Sequence, residues 1–433
     1  MQEKIFCRFF KKFDNFFNMR YNSSMKTWKT IIIGAGASGL TLAVALLKNK
    51  QNVLILDRND RVGKKLSATG NGQGNVTNLG ALRAEYFSAT PHAEKYITDV
   101  LQRHTDTDLR AFWEELGVLT VADERGRVYP ASRQASALTD ALRFYLQEQG
   151  AQLELKTTVT SIQKSKGGFC VTATTENGEV TYFAENVALC AGGKAAKNFG
   201  TDGTAYALVK DLGHTVTPLY PSLVQLKTDT EWIKTLKGIR IHDGILRLWQ
   251  GKRLLAEEKG DIIFTDYGIS GDAVFRISAF AADKITADLR VTIDALPDFA
   301  EEKILQLLLQ KQQRFPHLPI VELLCGVLNN QVGRAILKRA DGDLKRAAAL
   351  VKAFPLSIKG SLGFDYAQVT KGGIPLTEVD EALQSKKVQG LYFAGEILDV
   401  DGQCGGYNLQ WAYSSACVVA ESICKKGRGQ VCE

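Results

Sequence analysis

Six residues, Gly34-Ala35-Gly36-Ala37-Ser38-Gly39, constrain what this chain can fold into more than any others. They read G-x-G-x-x-G, and they join an apolar run at 28–33 to a helical stretch at 40–50, with glycines where a polar loop would ordinarily stand. Each glycine has its own task in that context: Gly34 permits the tight turn, Gly36 lets a pyrophosphate approach the backbone, and Gly39 allows helix and strand to pack closely. The start of the helix also presents oriented N–H groups to phosphates. A second apolar strand at 52–57 ends in Asp57, 23 residues after Gly34, where a carboxylate can accept hydrogen bonds from both ribose hydroxyls. The competing reading is a glycine-rich turn without a ligand, but strand, helix and acid all fall where an adenine dinucleotide needs them.

Beyond this βαβ unit the texture changes twice. Amphipathic helices are expected at about 96–116 and 134–149, around a β-like stretch at 118–129, followed by strands at 153–159, 168–175 and 180–183 with a turn at Asn177-Gly178. A short apolar strand at 186–190 runs into Ala191-Gly192-Gly193. After Pro218 and Pro221 come short strands, then long helices, and a last buried strand at 391–394 leads into Gly395-Glu396 and a helix at about 408–425. The simplest arrangement makes 26–216 and 356–433 one discontinuous domain and 217–355 an insertion, with a β-barrel part at about 217–272 and a helical part at about 273–355. Residues 1–25 read as a disordered extension.

Charge and cysteines narrow the function classes. The formal net charge is +7, but residues 1–30 hold seven Lys/Arg against two acids, so the rest of the chain carries only about +2 and argues against a nucleic-acid partner. The eight cysteines form no C-x-x-C and no Cys/His pattern at metal spacing, so they read as reduced thiols in a cytoplasmic protein without a metal. The five histidines are isolated in sequence and read as structural or solvated. The start has no signal-peptide core, and the apolar run at 31–47 is short and glycine-interrupted, so no membrane association is expected.

NAD and FAD make different demands downstream of the fingerprint. Two further strands ending in small residues would be idle in a plain nicotinamide site, whereas an extended FAD runs past several strand ends, and an acid after the last strand can bind its ribityl hydroxyls. The glycine-rich loop at 402–409 (GQCGGYNL) opens a helix whose N-terminus can stabilise negative charge on the N1/C2 edge of reduced flavin. Taken alone, the same loop reads equally well as a helix start capped by Asn408.

The motifs IIIGAGASGL, RVGKKLSATGNGQGNVTN, VALCAGG, VTKGGIPLTEVD and GLYFAGEILDVDGQCGGYNLQWAYSS together resemble a family of bacterial NAD(P)/FAD-dependent oxidoreductases, of BaiN-like and aminoacetone-oxidase type. The resemblance runs from Lys26 to Cys424. It implies an α/β fold, a Rossmann-like, glutathione-reductase-type FAD domain interrupted by a β-barrel and an α-helical insertion. It further implies FAD on Gly34, Gly36, Ala37, Gly39, Asp57, Arg58, Lys64, Lys65 and Asn75, with Val159 presenting backbone to the adenine, and on Ala191, Gly192, Gly395, Glu396, Gly406, Asn408 and Leu409. Three departures stand out: Asp57 where the family often has Glu, Gln73-Gly74 in place of an Arg-Cys pair, and Asp266-Tyr267 where a His-containing motif is usual.

Flavin chemistry needs no protein nucleophile, so no catalytic residue is assigned. Tyr267, Ser270, Gly372 and Gly373 are candidates for lining a substrate pocket. No redox cysteine pair follows the second strand, which disfavours disulfide reduction. No second G-x-G-x-x-G occurs, so NAD(P)H would act as a transient co-substrate. The expected activity is hydride transfer between FAD and a small organic substrate. The alternatives are an amine oxidase using dioxygen and, from another class, an RNA-acting flavoprotein.

Overall fold

The computed structural model describes residues 27–84, 86–285 and 288–429, and the extension at 1–25 lies outside them. Strand Thr27–Ile33 sits between two parallel neighbours, Val53–Leu56 and the second half of Gly178–Leu189, which is why Ile31 and Ile32 have no exposed surface. Gln152–Glu154 and Leu391–Phe393 extend the parallel part on its two sides, so the last strand of the domain comes from the far end of the chain.

Gly178–Leu189 belongs to two ladders. Its first half pairs antiparallel with Gly168–Thr175, which pairs with Thr158–Ser165, and its second half pairs parallel with the fingerprint strand. The sequence reading divides this stretch at residues 184–185. The strand runs on because Ala184 is buried while Glu185 projects to solvent and pairs with Lys29. The helix expected at 96–116 is two, Ala93–Arg103 and Asp106–Glu115. Thr105 restarts the chain: its hydroxyl accepts from the Asp108 N–H while the Asp108 carboxylate accepts from the Thr105 N–H.

The middle of the chain builds a closed six-stranded barrel. Its strands are Leu226–Thr228, Arg240–Gln250, Arg253–Phe264, Gly268–Ser270, Leu289–Asp294 and Phe354–Ser361. The division into barrel at 217–272 and helices at 273–355 is therefore corrected, because two strands beyond 272 close the barrel, and the expected boundary at 355–356 moves past Ser361, because the strand Phe354–Ser361 is one of those two. Leu289, Val291 and Ile293 point inward and Arg290 outward, an alternation too brief to stand out beside helices Asp272–Ala281 and Glu301–Arg314. The barrel and its helices have their own core, separate from that of the parallel sheet. Both chain crossings between them run through one antiparallel ribbon, Tyr220–Ser222 against Val369–Lys371.

Candidate functional site

The fingerprint glycines differ in what a Cβ would meet. On Gly34, at φ +108°, it would lie 2.5 Å from the Cys190 carbonyl oxygen, and on Gly39 it would lie 1.8 Å from the Gly34 carbonyl oxygen. On Gly36 it would meet nothing within 4 Å, because that position opens onto a cleft of about 1410 Å³. Gly34, Gly36 and Ala37 line the cleft, whereas Gly39 serves packing beneath it. Asp57 also lines it, held by the N–H groups of Ala35 at 2.5 Å and Asn59 at 2.7 Å.

The other expected cofactor residues mostly gather on the same cleft. Arg58, Lys64, Lys65, Asn75, Val159, Ala191, Gly192 and Glu396 line it, as do Gly406, Asn408 and Leu409 at the start of helix Tyr407–Gly429. Several are already engaged by protein. Arg58 pairs with Asp202 at 2.8 Å, Lys65 with Glu396 at 2.8 Å, and Lys64 stands 3.6 Å from Asp60. Asn75 donates to the carbonyls of Thr77 and Val128 at 2.9 and 3.0 Å. Asn408 does not cap the helix; it clamps the preceding loop, accepting from the Gly402 N–H at 2.9 Å and donating to the Gly402 carbonyl at 2.8 Å. Gly395 lies off the cleft, where its N–H donates to Ser415 and its carbonyl accepts from Trp411.

Of the substrate candidates, only Ser270 reaches the cleft. Gly372 and Gly373 pack against the carbonyls of Pro218 and Ile397, where a Cβ would come within 2.3 and 2.6 Å, and Tyr267 is placed in a barrel turn with its carbonyl accepting from Thr228. Asp266, at the departure from the family motif, is an exposed partner of Lys237.

The far wall was not foreseen. It comes from a hairpin carrying Arg125 and Arg127 and from the barrel, through Glu258, Asp272, Phe275 and Arg276. Arg276 is held by Glu258 at 2.6 Å, Asp272 at 3.1 Å and the Lys259 carbonyl at 2.6 Å. Arg125 reaches Asp272 at 2.9 Å and Asp243 at 3.6 Å, tying the hairpin to the barrel. Burial pushes the Asp272 carboxyl up, but Arg276, the Asp261 N–H and Arg125 together hold it below the usual range. The i,i+4 spacing of Asp272 and Arg276 was visible in the sequence; that it faces the cleft was not.

The residues present fit an FAD. The cradle at Gly36 would be filled by any side chain, Asp57 closes the second strand beside it, and the cleft exceeds the usual few hundred Å³ of a small-molecule pocket. Such a sheet with such a cradle defines a Rossmann-type FAD fold. The chain belongs to the HI0933-like family of FAD-dependent oxidoreductases: the family profile described as HI0933-like protein Rossmann domain matches residues 28–422. It is 32% identical over 412 residues to the 3-dehydro-bile acid delta(4,6)-reductase of Clostridium scindens, covering 91% of this chain and 98% of that one. It is 29% identical over 413 residues to a ribosomal RNA dihydrouridine synthase of Haemophilus influenzae, covering 92% and 99%. Among solved structures, the 3-ketosteroid delta1-dehydrogenase of Sterolibacterium denitrificans shares the fold, with a TM-score of 0.53, 12% identity, and coverage of 92% of this chain and 100% of that one. Among the described residues no helix is long and apolar enough to cross a membrane, and no cluster of three metal-ligating side chains occurs.

Proposed function

We propose that this protein is an FAD-dependent reductase that saturates a carbon–carbon double bond conjugated to a carbonyl in a small organic substrate, with NAD(P)H as electron donor. The observation that carries the reading is the single continuous cleft, with a dinucleotide cradle at one end and a polar wall from the barrel at the other. The two relatives' names support the bond type, since a delta(4,6) 3-dehydro steroid and a uracil ring both hold an alkene in conjugation with a carbonyl. Bound FAD supplies the two-electron hydride chemistry at N5. The chain's part is to bind and orient: the backbone at Gly36 receives the pyrophosphate, Asp57 the adenosine ribose, Val159 the adenine, and the start of the last helix the flavin edge. In this reading the inserted domain, whose barrel runs on to Ser361, covers the substrate, and NAD(P)H enters the same cleft in turn because no second nucleotide fingerprint is present. The free cysteines among the described residues fit a cytoplasmic location.

A second reading, reduction of uridine in RNA, is favoured by the Haemophilus relative and by the cations Arg125, Arg133 and Arg240 on the cleft lining. One experiment separates the readings. The purified yellow protein is bleached anaerobically with NADH or NADPH, then mixed with a small enone, a uridine-containing RNA oligonucleotide, or air. Rapid reoxidation by the enone supports the first reading and by the RNA the second. Reoxidation by air alone makes the protein an oxidase, and failure of either nicotinamide to bleach the flavin removes NAD(P)H.

A further inference from the structure

Six arginines line the cleft, and five of them already hold a carboxylate. Arg58 holds Asp202 at 2.8 Å, Arg125 Asp272 at 2.9 Å, Arg127 Asp123 at 2.8 Å, Arg240 Asp261 at 3.1 Å and Arg276 Glu258 at 2.6 Å. Among the described residues, the Arg133 side chain engages no carboxylate and no hydrogen-bond acceptor; its guanidinium carbon instead stands 4.2 Å from the centre of the Tyr129 ring. Tyr129 is only 6% exposed, and a Cβ on Gly70 would come within 3.6 Å of its Cε1, so the ring is a fixed platform. A guanidinium held over a ring is ordered without engaging its N–H donors, which stay available to a ligand.

The backbone holds Arg133 at φ +54°, in the left-handed region that side chains rarely adopt, with its N–H donating to the Pro130 carbonyl at 2.8 Å. The residue directly precedes Gln134, the N-cap of helix Ala135–Glu148, which has no side-chain cap and no acid in its first turn. The start of a helix favours anions and disfavours cations. A bound oxyanion supplies both the counter-charge that Arg133 lacks and the negative charge that the helix start favours.

We propose that Arg133, held by the Tyr129 ring, receives an oxyanion of the substrate, a carboxylate or a phosphate monoester, so that the molecule reduced is a small organic anion. The proposal rests on the reductase reading above and adds to it the charge of the substrate. The paired N–H donors of a guanidinium match two oxygens of either group. The other five arginines of the cleft do not compete for this role, because each is neutralised within the protein. Lys259 also lines the cleft, but among the described residues no ring or acceptor orders its ammonium group.

The test uses flavin-loaded full-length protein in two assays. In calorimetric titrations with acetate and with inorganic phosphate, the native protein is expected to bind at least one of the two, and Arg133→Met to weaken that binding by about tenfold or more, the worth of hydrogen bonds to a charged group. Tyr129→Leu is expected to act in the same direction, with Tyr129→Phe, which keeps the ring, restoring the binding. Binding of neither anion, equal binding by native and Arg133→Met proteins, or a loss that follows Lys259→Ala instead overturns the site. In turnover, acetylacrylate is compared with its methyl ester, and uridine monophosphate with uridine. The charged member of one pair is expected to show the lower KM, and Arg133→Met to raise that KM by about tenfold or more with little change in kcat. Loss of flavin from Arg133→Met would assign the guanidinium to FAD, slower bleaching to the nicotinamide, and a response confined to RNA oligonucleotides to a phosphodiester chain; each overturns the substrate role. If no conjugated alkene reoxidises the native flavin, the reductase reading itself falls, while the calorimetry still decides whether Arg133 holds an oxyanion.

Discussion

Gly36 separates folding from cofactor binding. A Cβ there meets no protein atom within 4 Å, so Gly36→Val is expected to fold with near-native thermal stability yet purify without flavin absorbance. A fully yellow Gly36→Val protein would displace the pyrophosphate from this position. Gly39→Ala makes the opposite case, because its Cβ would sit 1.8 Å from the Gly34 carbonyl oxygen; it should cost at least about 1–3 kcal/mol in denaturant unfolding. Asp401 offers a pH test. It has no exposed surface, and burial pushes its carboxyl up to about 8 against the pull of Lys371 and Ser222. A raised folded-state value means that the folded protein holds a proton the unfolded chain releases, so stability declines as pH climbs from about 4 to 8. Asp401→Asn should therefore be the more heat-resistant protein at pH 8, with the advantage shrinking toward pH 4. Melting curves with a constant difference across that range would assign Asp401 another state.

At the scale of elements, the parallel strands, the fingerprint helix and the last helix were legible because their signals are local: fully apolar runs such as 53–56, and glycines at the spacing of a dinucleotide fingerprint. The break at Thr105 was missed although its capping residues are plain in T-D-T-D, because the apolar periodicity on either side masks it. That most of the residues expected to hold the cofactor share one cleft was readable for the same reason as the helix. The opposite wall was not, since Arg125 and Arg276 are ordinary surface-type residues until the fold brings both to Asp272. Asn408 shows a side chain at work within the protein: it secures the loop before the helix rather than the helix end. Asn408→Ala removes hydrogen bonds worth about 1 kcal/mol each, so flavin should bind roughly tenfold more weakly, as measured by equilibrium dialysis. Unaltered affinity would show that the loop holds its shape without the clamp.

For the whole molecule, the separate cores of sheet and barrel predict that the two parts can be parted. Leu226 and Ser361 are direct cross-strand partners, so residues 226–361 can be replaced by a short Gly-Ser linker without stretching the chain. The shortened protein should retain part of its flavin binding and lose turnover, assayed by absorbance and by enone reduction. Full turnover would show that the barrel does not contribute to the reaction.

The bridge from Arg125 to Asp272 and Asp243 has a salt-dependent corollary. It links the hairpin of the cofactor domain to the barrel, and at 53% exposure the arginine is within reach of mobile ions. Dissolved salt weakens such a contact far more than it weakens either core. Rising ionic strength is therefore expected to loosen the hairpin from the barrel before it unfolds either, which protease cleavage at the hairpin across a salt series would read.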